Sequence, residues 1–142
     1  MDRKEVLSAL IKSLLGRPYR WGGSNPLTGF DCSGMIVELL ISQGVIAHAT
    51  DYSSQSLYDR FSRSWPTPDL PSFGDLVFYG RGLTAISHIG FCLGQGLMVE
   101  AGGGGSKTLT AEDAAKQGAW IRVRPVTYRR DLLEFLRPPF GL

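Results

Sequence analysis

Hydrophobic periodicity changes from helix to sheet near Asp75, and that change restricts the folds open to the chain. Before it, apolar residues recur at helical spacing. Val6, Leu7, Leu10, Ile11, Leu14 and Leu15 mark a helix over about 2–15, with Gly16 at its end and Pro18 blocking resumption. A second helix is predicted over 32–43 and stopped by Gly44, and a short third over 53–61. Residues 62–74, with Pro66, Pro68 and Pro71, read as an extended surface connection. After Asp75 the period is that of sheet. A short apolar strand over 76–79 ends at Gly80-Arg81-Gly82, and strands over 86–93 and 97–101 flank Gly94-Gln95-Gly96 as a tight three-residue hairpin. Residues 120–126 alternate as a further strand, 111–117 add a helical turn or two, and 131–136 read as a short helix before a proline-rich tail. Helices first and strands afterwards predict an α+β fold, with N-terminal helices on an antiparallel sheet, in one domain over 1–142.

The chain has 142 residues, 43% of them hydrophobic, enough to build one real core. A formal charge of +2 is too small for a general nucleic-acid binder. No apolar run approaches the ~20 residues of a membrane span. The first eleven residues carry charges but no long apolar stretch or cleavage site, so no secretory signal is read. Delivery outside the cytoplasm would then fall to something else, or to a leader already removed. Two cysteines exclude a disulfide scaffold, although not a single bridge.

Within that frame, the stretch Gly29-Phe30-Asp31-Cys32-Ser33-Gly34-Met35 carries the chemistry. It runs from turn formers into the second helix, with Asp31 as N-cap and Cys32 in the first turn. A thiol there sits beside free backbone N–H groups and the positive end of the helix dipole, both of which favour the nucleophilic thiolate. A helix terminus contributes at most about 2 kcal/mol, which lowers a cysteine pKa of roughly 8.5 by no more than ~1.5. An imidazole is therefore required. Of the two histidines, His48 lies in a connection, whereas His88 opens the strand-like run Ser87-His88-Ile89-Gly90-Phe91-Cys92. His88 is taken as the base and His48 as a surface residue.

If Leu93 pairs with Leu97, Glu100 faces Gly90 and lies diagonal to His88 on the same sheet face. A carboxylate there would orient the imidazole and stabilise its charged form. A solvated strand residue is the alternative for Glu100, and a small buried hydrophobe is the alternative for Cys32. Cys92, mid-strand in an apolar run, reads as inert core, although it shares the parity of His88. No close C-x-x-C or H-x-x-x-H pair exists, so neither metal nor cofactor is expected. The glycine run 102–105 lacks the G-K-[ST] of a phosphate loop and reads as a mobile cleft rim. Arg122, Arg124, Arg129, Arg130 and Arg137 read as solvated surface or as a docking patch for anionic wall polymer or a protein partner.

Tyr19-Arg20-Trp21-Gly22-Gly23, the Cys32 stretch, Gly74-Asp75-Leu76-Val77-Phe78 and Ser87-His88-Ile89-Gly90 together resemble, in order and spacing, the motifs of the NlpC family. These are papain-like cysteine peptidases of bacterial cell walls. The resemblance covers about 15–101 and implies a small papain-like core. It also implies hydrolysis of the bond between D-γ-glutamate and the diamino acid of peptidoglycan stem peptides. On it, Cys32 is the nucleophile and His88 the base. Tyr19 lies beside the oxyanion site, and Asp31 and Ser33 help hold the free amino end of the stem peptide. Glu100 falls on the third polar position, most often histidine in the family. A compact wall hydrolase without leader or wall-binding repeats suits a phage or phage-like tail that opens the wall locally, with tail or hub proteins as partners. An injected toxin and a cytoplasmic recycling enzyme fit the same features. A non-catalytic wall-binding or structural module and an acyltransferase of related fold are the alternatives.

Overall fold

The computed structural model describes residues 1–25, 29–47 and 51–142. His48, expected at the surface, lies outside the described residues. Helix α1 spans Arg3–Leu14, and Asp2 caps it by accepting the Glu5 N–H at 2.8 Å. It buries Leu7, Ile11 and Leu14, one stripe at helical spacing. Gly16 turns the chain out with φ +82° and gives its N–H to the Ile121 carbonyl, which ties the helix exit to a distant strand. A two-stranded ribbon, β1 (Ser24–Asn25) and β2 (Gly29–Phe30), leads into α2 (Cys32–Ser42). That helix buries Met35, Ile36, Val37, Leu39 and Leu40, apolar on more than one face because it is the central helix. Helix α3 (Ser54–Phe61) starts from a reciprocal Ser53–Ser56 capping box.

The sheet runs β6-β5-β4-β3-β7, antiparallel at every junction. Its strands are β3 (Leu76–Gly80), β4 (Ile86–Gly94), β5 (Leu97–Gly102), β6 (Trp120–Pro125) and β7 (Leu132–Leu136), with α4 (Ala111–Gln117) between β5 and β6. Leu76, Phe78, Ile89, Phe91, Val99 and Ala101 point from one face into the helices. Each of these side chains larger than Ala101 contributes about 1.5–3 kcal/mol relative to exposure. On the other face Val77, Tyr79, Cys92, Met98 and Val126 make a smaller cluster. Among the described residues no helix is long and apolar enough to cross a membrane.

Two expectations are corrected. The segment 131–136 is not a helix: Leu132–Leu136 pairs with β3, setting Phe135 against Val77 and Leu136 against Leu76. So short a stretch gains too little to offset helix nucleation, and it satisfies backbone groups along β3 that would otherwise lack partners. The hairpin loop is shorter than expected. Gly94 pairs with Leu97 around Gln95-Gly96, both at positive φ (55° and 76°), as a tight mirror-image turn demands. A bulge between Cys92 and Gly94 absorbs the extra residue. Beyond it Cys92 faces Met98 and Phe91 faces Val99, the register expected from the sequence.

Candidate active site

Cys32 is the first residue of α2, and the loop before it is bound to that helix's first turn. Asp31 Oδ1 accepts the Gly34 N–H at 2.7 Å and the Ser33 hydroxyl at 3.3 Å, while Oδ2 accepts the Gly22 N–H at 3.0 Å. The Asp31 N–H in turn donates to the Gly23 carbonyl at 3.0 Å. A Cβ on Gly34 would collide with that same carbonyl oxygen, so the close approach of loop and helix requires glycine there. Burial raises the Asp31 carboxyl above its ordinary value, against the Gly34 and Gly22 N–H groups and the Ser33 hydroxyl, which hold it down.

His88 lies on β4 opposite Tyr79 of β3, with the two rings 5.7 Å apart. Its Nε2 is 2.6 Å from Glu100 Oε1, and the ring shares the wall of one cavity with Cys32, near enough for the sulfur to favour the charged imidazole. With Nε2 taken by a carboxylate, which only accepts, Nδ1 is the nitrogen left for the sulfur. Burial pulls the imidazole down, but Cys32 and Glu100 outweigh it, and His88 rises from its ordinary 6.5 to about 9. Glu100 is 1% exposed and its second oxygen, Oε2, accepts from Arg122 Nε at 3.0 Å. Burial pushes its carboxyl up, but His88 and then Arg122 hold it net below the usual value.

Two cavities meet at Cys32. One, about 670 Å³, is lined by Asp31, Ser33, Gly34, Asp51, Tyr52 and Gln55. The other, about 260 Å³, is lined by His88, Glu100, Arg122, Tyr128 and Arg129. Tyr19, Trp21, Cys32 and Ser87 border both. The cleft therefore passes over the sulfur with a carboxylate-bearing half and a guanidinium-bearing half. Burial, then Cys32 and Asp31, raise the Tyr19 phenol well above its ordinary value, so it stays a neutral hydroxyl beside the sulfur. A third cavity, between Trp65, Phe73 and Phe140, touches neither Cys32 nor His88.

The structure thus brings together Cys32, His88, Glu100, Tyr19, Asp31 and Ser33. Arg122 joins them unforeseen. Its alternation in the strand was visible, but its register against Glu100 depends on the long connection through α4. Three arginines of the cluster have carboxylate partners. Arg122 pairs with Glu100, Arg129 with Asp131 at 2.8 Å, and Arg137 with buried Asp75 at 2.8 Å. The glycine rim is packed at two points, where a Cβ on Gly103 would meet the Gly118 carbonyl and one on Gly104 the Tyr19 ring. Cys92 is 1% exposed, and burial pushes its thiol up to about 12.

The profile of the NlpC/P60 family matches residues 16–124. The chain is 37% identical over 107 residues to the bifunctional muramidase/DL-endopeptidase CwlT of Bacillus subtilis (strain 168), covering 74% of this chain and 31% of that protein. It therefore spans under a third of that relative's length. Among solved structures, an NlpC/P60 family protein from Bacillus cereus ATCC 10987 superposes with a TM-score of 0.71 at 24% identity, over 96% of this chain and 40% of that one. RipD of Mycobacterium tuberculosis, described as a non-catalytic NlpC/p60 domain protein adapted to peptidoglycan binding, superposes with a TM-score of 0.68 at 22% identity, over 98% of both chains. These likenesses to solved structures bear on the fold.

Proposed function

The chain belongs to the NlpC/P60 family, and from that premise we propose that it is a cysteine peptidase that hydrolyses peptidoglycan stem peptides at the D-γ-glutamyl–diamino acid bond. One observation carries the reading. Cys32 opens a capped helix with an imidazole against its sulfur, and a buried carboxylate holds that imidazole from behind. The choice of bond follows the family resemblance and the DL-endopeptidase name of CwlT.

The steps follow from the groups present. Cys32 transfers its proton to His88 Nδ1, and the thiolate attacks the amide carbonyl. First-turn N–H groups of α2 lack intrahelical partners, and Gly34's is already held by Asp31. Those of Cys32 and Ser33 are left for the oxyanion, with the Tyr19 hydroxyl beside them. The imidazolium gives its proton to the leaving amine as the C–N bond breaks, leaving a thioester. Because His88 lines the smaller cavity, the leaving amine lies in that half. The acyl part, with its free amino end toward Asp31 and Ser33, lies in the larger one. Water then attacks the thioester, His88 takes its proton, and the acid leaves as the thiol re-forms.

Mass spectrometry of purified stem peptides, incubated with the parent and with Cys32→Ala, tests this. Cleavage by the parent alone supports it. No cleavage by either protein, with binding to the wall retained, returns the chain to the non-catalytic reading that RipD illustrates. Products that appear only with an added amine acceptor favour the acyltransferase. The carrier we retain from the sequence is a phage or phage-like tail acting at the wall. The relatives named here lend it no support, and co-purification with tail particles is its test.

A further inference from the structure

Glu100 is almost fully buried and has a cation on each oxygen: His88 on Oε1 and Arg122 on Oε2. The Arg122 side chain is itself only 16% exposed. Its guanidinium lies 5.5 Å from the centre of the Tyr128 ring, which Arg124 also faces at 5.4 Å. Space for the contact is made in the backbone, because a Cβ on Gly102 would collide with Oε2 of Glu100 and crowd the Arg122 guanidinium. Several independent features of β5, β6 and the turn after it thus converge on one carboxylate oxygen.

We propose that Arg122 is a positioning residue for the hydrolytic reaction, acting through Glu100 on His88. The proposal rests on the reading of Cys32 and His88 as nucleophile and base. A buried carboxylate with a single partner has two faults as an orienting group. It rotates about its last torsion, and its whole charge falls on the imidazolium, which then holds its proton too firmly to release it to the leaving amine. A guanidinium on the far oxygen answers both. It fixes the carboxylate plane through Nε and draws part of the charge away from His88. The other groups that face His88 are Cys32 from α2, Tyr79 from β3, and Arg129 and Asp131 from the segment leading into β7. Arg129 is matched by Asp131, so Arg122 is the cation whose removal leaves Glu100 unbalanced.

The test needs no peptide substrate, so it stands apart from the choice of bond. The rate of Cys32 alkylation by iodoacetamide and the NMR titration of the His88 ring are followed against pH in the parent, Arg122→Met and Arg122→Lys. Arg122→Met should move the alkaline limb of both curves upward by about one pH unit. Arg122→Lys, which keeps the charge, should stay close to the parent. In a Glu100→Gln background Arg122→Met should have no effect on either curve. A lowered melting temperature with unmoved titration curves would make Arg122 merely structural and overturn the proposal. Should Arg122→Met fail to fold, the parent still decides. An Arg122 Nε–H that exchanges with solvent as fast as that of Arg130 overturns the proposal, and one protected from exchange until the Glu100 carboxyl is protonated supports it.

Discussion

The carboxylate of Asp31 accepts the backbone N–H of Gly34 at 2.7 Å, closing the first turn of the helix on which Cys32 sits. The residue expected to meet the substrate's amino end is thus also the N-cap of the nucleophile helix, and its second oxygen holds the Gly22 loop. The two duties separate by mutation. Asp31→Ala should lower stability by about 1 kcal/mol or somewhat more, the usual cost of a lost cap. Asp31→Asn keeps the acceptor for Gly34 but turns an NH2 toward the Gly22 N–H, so in urea unfolding it should lose less stability than Asp31→Ala, yet lose kcat/KM on peptides with a free amino end. Equal destabilisation by both variants would assign the capping to charge rather than to the acceptor oxygen.

His88 carries a pH signature with a definite sign. Its folded-state value, about 9, lies above the ordinary 6.5. The group therefore contributes stability that is fully present below about pH 6.5 and is lost as pH rises through about 9. Glu100→Gln removes one of the anions responsible, so His88 should lose its proton at lower pH and turnover should fall. Glu100→His should retain more activity than Glu100→Ala, since an imidazole still accepts the ring N–H. The pH–rate profiles of these three variants beside the parent are the measurement. A Glu100→Ala profile superimposable on the parent's would remove Glu100 from the site.

The two thiols should differ sharply in reactivity. Cys32 borders both halves of the cleft, whereas Cys92 is packed among Val77, Tyr79 and Met98. Iodoacetamide at pH 6 followed by peptide mapping should label Cys32 well before Cys92. Comparable labelling of both would contradict an activated Cys32.

Why these sites were legible, and others not, depends on how local their causes are. Asp31, Cys32 and Gly34 lie within one helical turn, so capping rules alone place the sulfur at a helix start. His88 and Glu100 flank a hairpin whose tight turn sets the register, and parity then brings them to one face. Between Glu100 and Arg122 stand a glycine run and α4, and no local rule carries a register across them. Leu132–Leu136 adopts its conformation because β3 needs a partner, a cause outside the segment itself. Arg137 likewise looked like surface charge because its partner, Asp75, lies far away in sequence.

That last pair gives a stability prediction. Asp75 is 1% exposed and also accepts the Ser72 N–H at 2.8 Å, while the Arg137 side chain is 45% exposed. Arg137→Ala leaves a buried carboxylate short of its cation. The loss should be about 2 kcal/mol, below the usual figure for a broken buried pair because the guanidinium end stands partly in water. Arg130→Ala should change stability by less than about 0.5 kcal/mol. Denaturant unfolding of the two variants decides between them. Truncation before Arg129 would remove β7 together with Arg137, so it reports on folding rather than on docking.

The glycine rim offers the most discriminating pair of substitutions in the cleft. A Cβ on Gly104 would overlap the Tyr19 ring, whereas one on Gly105 would meet nothing within 4 Å. Neither glycine is held at positive φ, so backbone strain does not complicate the comparison. Tyr19 is 4% exposed and borders both cavities, and its ring has little room to retreat. Gly104→Ala should therefore displace the phenol from its place beside Cys32 and lower kcat on a γ-D-glutamyl peptide at least several-fold. Gly105→Ala should leave kcat unchanged, and both variants should keep the helical circular dichroism of the parent. If the rim is loose enough to swing away, Gly104→Ala will match Gly105→Ala, and Tyr19 will have lost its claim to a fixed position at the oxyanion site.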